Sequence, residues 1–358
     1  MAHQPSEKTV LITGAAGQIG YALIPSICDG TIFGIGCTIH LHLLDIEPAT
    51  RALQGVRMEI EDSAFSCLGS LVVTTNLEEA FSGVDVAILV GGYPRRKGME
   101  RSDLIDKNIA IMKEQGQALE RFSDHDVKVL VVANPANTNC LTLMEFAPSI
   151  PRRNFTCMMR LDQDRLRGAL ADALQAQDPG FATACQIRNV VIWGNHSPTM
   201  VPDSTEAEIA VGGGGYQPLM PVLQQRCPPD VIGSIISDVR VRGATVIQAR
   251  GLSSALSAAR AVGAHLRDWL VTGTAPGEFV TMGVYSDANP YKLALGQGQE
   301  PLIPGGLVVG LPCRCWPGGK FEVVPGMLKS DTLQNEMKKT IVELAGERDV
   351  ARTLLALS

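Results

Sequence analysis

The chain has 358 residues, 45% of them hydrophobic and 19% charged, with a formal net charge of −6 at pH 7. That is the composition of a soluble globular protein with length for one large or two ordinary domains. Its acidic balance gives no overall electrostatic support to a nucleic-acid or membrane-surface role. No apolar run reaches the length of a membrane span. Residues 1–8 are polar, with neither a signal core nor an Arg-rich amphipathic leader, and 354–358 lack a peroxisomal ending, so a cytoplasmic protein is expected. The nine cysteines are an odd number, and Cys313 and Cys315 are the only close pair, unaccompanied by zinc-type spacing. They read as reduced thiols, with no metal site.

Residues 9–13 are apolar and β-branched, a strand, followed at once by Gly14-Ala-Ala-Gly-Gln-Ile-Gly20 and a helical pattern over 21–28. Strand, glycine-rich turn and helix is the context in which such a motif carries meaning. Glycine lets the backbone approach a pyrophosphate, and the helix N-terminus offers free N–H groups. Residues 39–45 form the next strand and end in Asp45, whose carboxylate suits the ribose hydroxyls of an adenosine and repels a 2′-phosphate. NAD is therefore expected rather than NADP; the alternative for Asp45 is the cap of the next turn. His40 and His42, on one face of that strand, read as packing or edge residues.

Helix over 51–65, strand over 71–75, a helical turn over 77–81 and strands over 84–90 and 127–134 continue the alternation. The rhythm predicts an α/β fold with a Rossmann-type doubly wound parallel sheet. After the strand at 84–90 comes Gly91-Gly-Tyr-Pro-Arg-Arg-Lys-Gly-Met-Glu-Arg101, then a helix over 102–122. Glycines and Pro94 make this a loop. Arg95 and Arg101 are fixed-charge forks suited to carboxylates or phosphates. On composition alone a solvated basic turn explains the segment better than a loop closing over an anionic substrate. Asn134, in Asn134-Pro-Ala-Asn-Thr-Asn139, offers a two-sided amide at the sheet edge or begins a simple turn.

From residue 160 the pattern changes to a mixed α+β second domain, giving 1–159 and 160–358 as the expected division. A helix opens at Arg160 and runs to about 175, with Asp162 and Arg165 on one face. That pair reads either as an ordinary intrahelical ion pair or as site chemistry. Residues 177–185 read as a loop. Residues 190–197 form a strand running into a polar turn that carries His196. Residues 212–215 suggest a turn or hairpin, and 242–270 a long helix with Gly251 as a kink. Strands are expected over 278–285, 307–311 and 321–324, and an amphipathic C-terminal helix over 332–355.

Brought together, these residues suit hydride exchange. The hydroxyl proton must leave as the hydride does, and an imidazole with a pKa near 6.5 both takes and gives it near neutrality. Asp162 on its other nitrogen would fix the tautomer, and Arg165 would grip a carboxylate. Arg101 would polarise the carbonyl, and Arg95 would meet a second carboxylate.

The chain resembles the cytosolic branch of the malate dehydrogenases, in the lactate/malate dehydrogenase superfamily. The resemblance rests on Thr13–Gly20, Leu43-Leu-Asp-Ile46, Pro94–Leu104, Asn134–Leu141, Arg160-Leu-Asp162, Ile192–Ser197 and Leu252–Ala259. It implies His196 as proton acceptor with Asp162 as its partner, and Arg95, Arg101, Asn134 and Arg165 as substrate residues. It also implies NAD contacts from Gly14, Ala15, Ala16, Gly17, Gln18, Ile19, Gly20, Asp45, Asn108, Gln115, Val132, Ala133 and Asn134. Ser254 matches a serine near the site. A homodimer acting on malate and oxaloacetate is implied. The chain departs from the pattern at Gln163 and Asp164, around 177–185 and over 290–317.

Arg95 bears on substrate class, because an uncharged substrate side chain would leave it unpaired in a closed pocket. A broad-specificity or aromatic 2-hydroxy-acid dehydrogenase is the alternative enzyme. A catalytically silent NAD-binding protein would need His196, Asp162 or Arg165 replaced.

Overall fold

The computed structural model describes residues 6–93, 101–287 and 302–356, and of residues 101–103 the backbone alone. The N-terminal half alternates strand and helix. β1 (Ser6–Thr13), α1 (Gln18–Cys28), β2 (Cys37–Leu44), α2 (Thr50–Ser63), β3 (Leu68–Thr74) and α3 (Leu77–Phe81) come first. They are followed by β4 (Val86–Leu89), α4 (Arg101–Phe122), β5 (Lys128–Val131), α5 (Ala136–Phe146) and β6 (Phe155–Cys157). The six strands pair in parallel in the order β6-β5-β4-β1-β2-β3. Strand order reverses between β1 and β4, the position at which open α/β sheets bind ligands outside their carboxyl ends. The strands are apolar on both sides because helices cover both faces. Val10, Ile12, Leu41 and Ile88 lie in one core cluster, and Leu11, Ala87, Leu89 and Val129 in the other.

The second half begins with α6 (Arg160–Gln177), β7 (Ile187–Arg188), β8 (Val191–Trp193) and β9 (Val201–Asp203). A hairpin of β10 (Glu208–Ala210) and β11 (Tyr216–Pro218) turns through the glycines at 212–215, and α7 (Leu219–Arg226) follows. Then come α8 (Val231–Arg250), α9 (Leu256–Leu266), β12 (Val280–Ser286), β13 (Leu307–Trp316), β14 (Lys320–Val323) and α10 (Asp331–Leu354). β12 pairs antiparallel with β6 at Gly283 and Cys157, so β12, β13 and β14 extend the same sheet to nine strands. A side chain at Gly283 would strike the Cys157 thiol at 2.1 Å, so a glycine stands where the two strands pair.

One expectation changes. The stretch 242–270 is not one helix kinked at Gly251. α8 starts earlier, at Val231, and ends at Gly251, whose left-handed φ of +72° closes it. α9 is separate and packs Ala258, Ala259, Val262 and Leu266 into the N-terminal core against α1. The stretch after Asn134, open in sequence between a site amide and the start of a simple turn, continues as the eleven-residue helix α5. All nine cysteines are free, and Cys313 and Cys315 lie buried on one face of β13. His40 meets the Ser70 hydroxyl and His42 the Ala80 carbonyl, as packing residues do.

One buried group gives the fold a pH dependence. His265 on α9 is 1% exposed, its Nε2 3.1 Å from the Thr156 hydroxyl. Burial, and then the charge of Arg160, pull its pKa down to about 3. The folded protein holds this ring neutral, while the unfolded chain binds a proton below about 6.5. Its contribution to stability is complete above that pH and is lost as pH falls toward 3, by about 1.4 kcal/mol per unit. Chemical denaturation at pH 7, 6, 5 and 4 should show a shallower decline for His265→Gln than for the wild type. Parallel declines would show that the ring does not set the slope.

Candidate active site

Two βα turns meet where the strand order reverses. Gly14 follows β1 with φ +66°, and a side chain there would sit 2.6 Å from the Gly91 Cα after β4. A side chain at Gly20 would lie 2.8 Å from the Ala15 Cα and the Gly14 carbonyl oxygen. These glycines allow close backbone approach, and the next turn is already helical: α1 begins at Gln18, three residues earlier than periodicity alone suggests. Its N-cap, Gly17, makes no side-chain cap, so the first-turn N–H groups stay free for an anion. Gly17 and Gln18 are exposed, Ala16 and Ile19 half-buried, and Ala15 is buried beneath them.

Asp45 follows β2 beside this turn. Its Oδ2 accepts the Ala16 N–H at 2.9 Å and its Oδ1 the Ile46 N–H at 2.8 Å. The carboxylate therefore fixes the glycine-rich turn and keeps further lone pairs for hydroxyl donors. Asn108, on α4, is fully buried. Its Oδ1 accepts the Tyr93 N–H at 2.7 Å, and its Nδ2 donates to the carbonyls of Leu104 at 3.1 Å and Asn134 at 3.0 Å. Asn108 thus ties the segments that leave β4 and β5. The second of these carries Val132 and Ala133, whose N–H groups both donate to Leu89, and Asn134, exposed at the sheet edge. Gln115, a turn and more along α4, is buried with its Oε1 unpartnered among the described residues. A glycine cradle, an uncapped helix start, a half-open carboxylate and an orphan acceptor together fit a dinucleotide.

The reacting groups lie beyond this cradle. Asp162 and Arg165 stand in the first two turns of α6, and His196 in the turn after β8. The His196 Nδ1 is 2.5 Å from the Asp162 Oδ2. The Arg165 Nη1 donates to the other oxygen, Oδ1, at 2.9 Å. Asp162 is completely buried, while Arg165 and His196 are mostly so. Burial alone would raise the Asp162 pKa. The charge and hydrogen bond of His196, then those of Arg165, outweigh it and hold the carboxyl below the usual range. Because Nδ1 faces a carboxylate, it carries the proton, and Nε2 is the nitrogen left to accept one.

The Arg165 Nη2 donates to the Ser254 hydroxyl at 3.0 Å, which brings the serine between α8 and α9 to the site. Two of the guanidinium's five N–H groups are thereby engaged. Gly243 of α8 lies against it: a side chain there would come 3.8 Å from Nη1. Arg95 lies outside the described residues. Arg101 opens α4, and its side chain is not among those described.

The departures noted in the sequence are structural. Gln163 is buried; its Nε2 donates to the Val190 carbonyl at 3.0 Å and its Oε1 accepts the Thr281 N–H at 2.9 Å, joining α6 to β12. Asp164 pairs with Arg160 and Arg167, and Arg160 also pairs with Asp268 at 2.5 Å. Sequence reading missed Asn137. It is buried in the first turn of α5, and its Oδ1 accepts the His196 backbone N–H at 2.9 Å. The available signal was the run of Asn137, Thr138 and Asn139 directly after a strand end, too polar for an idle helix.

The family model for the lactate/malate dehydrogenase NAD binding domain matches residues 8–156, and that for the alpha/beta C-terminal domain of the same family matches 159–352. The second match runs well past Ala259, where the motifs that carry the resemblance end. The cytoplasmic malate dehydrogenase of Medicago sativa is 44% identical over 347 residues, covering 97% of this chain and 98% of the relative. That of Felis catus is 44% identical over 351 residues, with the same coverage. The malate dehydrogenase of Naegleria fowleri superposes with a TM-score of 0.83 at 36% identity, over 97% of this chain and 98% of that one. The lactate dehydrogenase of Trichomonas vaginalis, in complex with NADH and oxamate, superposes with a TM-score of 0.85 at 36% identity, over 98% and 99%.

Proposed function

The chain belongs to the lactate/malate dehydrogenase family, and from that premise we propose that it is an NAD-dependent malate dehydrogenase, interconverting (S)-malate and oxaloacetate. The observation that carries the reading is the buried His196–Asp162–Arg165 constellation at the carboxyl edge of a dinucleotide-binding sheet. The malate dehydrogenase names of the relatives and the presence of Arg95 favour a dicarboxylate over a monocarboxylate. The cytoplasmic names of the plant and animal relatives support a cytoplasmic enzyme.

Residues 1–159 serve as the cofactor half and 160–358 as the substrate half. Gly14 through Gly20, Asp45 and the end of β5 hold NAD, with Asn108 and Gln115 supporting from α4. Bound NAD supplies the hydride acceptor. His196 takes the malate hydroxyl proton at Nε2 while the C2 hydride departs, and returns it in the reverse direction. Asp162 holds the Nδ1–H and stabilises the imidazolium that forms. Arg165 grips the C1 carboxylate, Arg95 the C4 carboxylate, Arg101 the developing alkoxide, and Asn134 the same oxygen or its neighbour. Several large apolar side chains stand exposed: Met58 on α2, Val241 and Ile247 on α8, and Leu256 at the start of α9. They support the homodimer, which would cover them. Sedimentation at micromolar concentration should give twice the chain mass, and a monomer would exclude it.

The direct test is steady-state kinetics with NADH and, side by side, oxaloacetate, pyruvate and phenylpyruvate. Oxaloacetate is expected to be preferred. A preference for pyruvate or phenylpyruvate would overturn the substrate assignment. NADH binding without turnover of any of them would favour the silent protein.

A further inference from the structure

α10 carries Thr340, Glu343 and Glu347, spaced three and four residues apart, on one face. In the structure it faces the turn that bears His196. Thr340 is fully buried and Glu347 is 6% exposed. The Thr340 hydroxyl accepts the Asn195 backbone N–H at 2.9 Å. A side chain at Gly194, where φ is +87°, would strike the Thr340 methyl at 2.2 Å. The turn therefore lies directly on the helix. The Asn195 side chain, also fully buried, donates through Nδ2 to the Glu343 Oε2 at 2.8 Å and the Glu347 Oε1 at 3.2 Å. The Ser197 and Thr199 hydroxyls donate to the Glu343 Oε2 at 2.5 and 2.6 Å.

Glu347 also reaches the other side of the histidine. Its Oε2 accepts the Thr138 hydroxyl at 2.5 Å. Thr138 adjoins Asn137, whose Oδ1 accepts the His196 N–H and whose Nδ2 donates to the Val308 carbonyl at 3.0 Å. One buried carboxylate thus links the residue before His196 to the residue beside the one that holds its backbone.

We propose that Glu347 is a positioning residue for His196: by bridging Asn195 and Thr138 it fixes the backbone of the histidine turn, as Asp162 fixes the ring. A carboxylate in this place carries a desolvation cost, which the buried Asn195 amide and Thr138 hydroxyl offset by donating to it. What an apolar residue cannot do is accept from both segments at once. A displacement of the imidazole of about 1 Å is enough to cost roughly 100-fold in rate.

This inference rests on the reading of His196 as the proton acceptor. The test compares kcat and KM for oxaloacetate and NADH in the wild type, Glu347→Leu, Glu347→Gln, Thr138→Val and Met337→Ala. Glu347→Leu is expected to lower kcat roughly 10- to 100-fold with the KM for NADH unchanged. Glu347→Gln restores most of that loss, because its amide oxygen accepts from Asn195 and its NH₂ donates to the Thr138 hydroxyl. Thr138→Val removes one arm and falls between them. Met337, fully buried on the same helix, is a stability control: its replacement lowers the melting temperature and leaves kcat in place. Wild-type kcat in Glu347→Leu, or an equal kcat loss in Met337→Ala, would overturn the positioning role. An inactive wild type would instead count first against His196 as the proton acceptor.

Discussion

Asp162→Asn is expected to lower kcat by roughly 10²- to 10⁴-fold in both directions while leaving NADH affinity unchanged. The direction follows from the hydrogen bonds. Arg165 only donates, and it donates to the Asp162 Oδ1 at 2.9 Å. In the variant the amide oxygen turns to the arginine, and the amide NH₂ is left facing the His196 Nδ1, now 2.5 Å from the Asp162 Oδ2. Nδ1 becomes an acceptor, the proton moves to Nε2, and the nitrogen that should receive the malate hydroxyl proton is already occupied. The imidazolium needed for oxaloacetate reduction loses its counter-charge as well. The check is stopped-flow NADH oxidation beside an NADH fluorescence titration. Retained kcat with intact binding would remove Asp162 from the mechanism.

Arg165→Gln has the second large effect. Two charge-assisted hydrogen bonds to a substrate carboxylate are worth about 1.5–3 kcal/mol each, so kcat/KM for oxaloacetate should fall by roughly 10²- to 10⁴-fold. The same substitution strips a partner from a fully buried carboxylate, which costs about 3–5 kcal/mol of stability. The two consequences separate experimentally, because NADH binding at a temperature below the melting transition reports folded protein. Arg165→Lys should recover stability better than kcat/KM, since lysine restores the charge but not the fork. Full recovery of kcat/KM by lysine would mean that charge alone, not paired geometry, binds the substrate.

Local patterns made much of this site legible. The glycine turn, Asp45, Asp162, Arg165 and His196 each sit at the start or end of a strand or helix, where period and punctuation show. β1 to β5 read correctly because buried parallel strands are continuous apolar runs, although their ends moved by a residue or more; β6, three residues long, went unread because so short a run carries no pattern. α5 did not read as a helix. Its first turn is buried yet polar, with Asn137, Thr138 and Asn139 spent on the histidine turn, on α10 and on the segment that leaves β5. That is the reverse of an amphipathic pattern. α8 hid for another reason: apolar residues such as Val241 and Ile247 are exposed, so no single stripe marks its inner face. The return of α9 to the N-terminal core and the inward polar face of α10 are contacts between distant segments, and periodicity carries no record of them.

The central claim is that cationic side chains hold a doubly negative four-carbon acid against one imidazole. The measurement that tests it most directly is kcat/KM for oxaloacetate and for pyruvate in the wild type and Arg95→Gln. A roughly 100-fold or greater loss with oxaloacetate, and little change or a gain with pyruvate, is the predicted result. Undiminished oxaloacetate turnover by Arg95→Gln would contradict it.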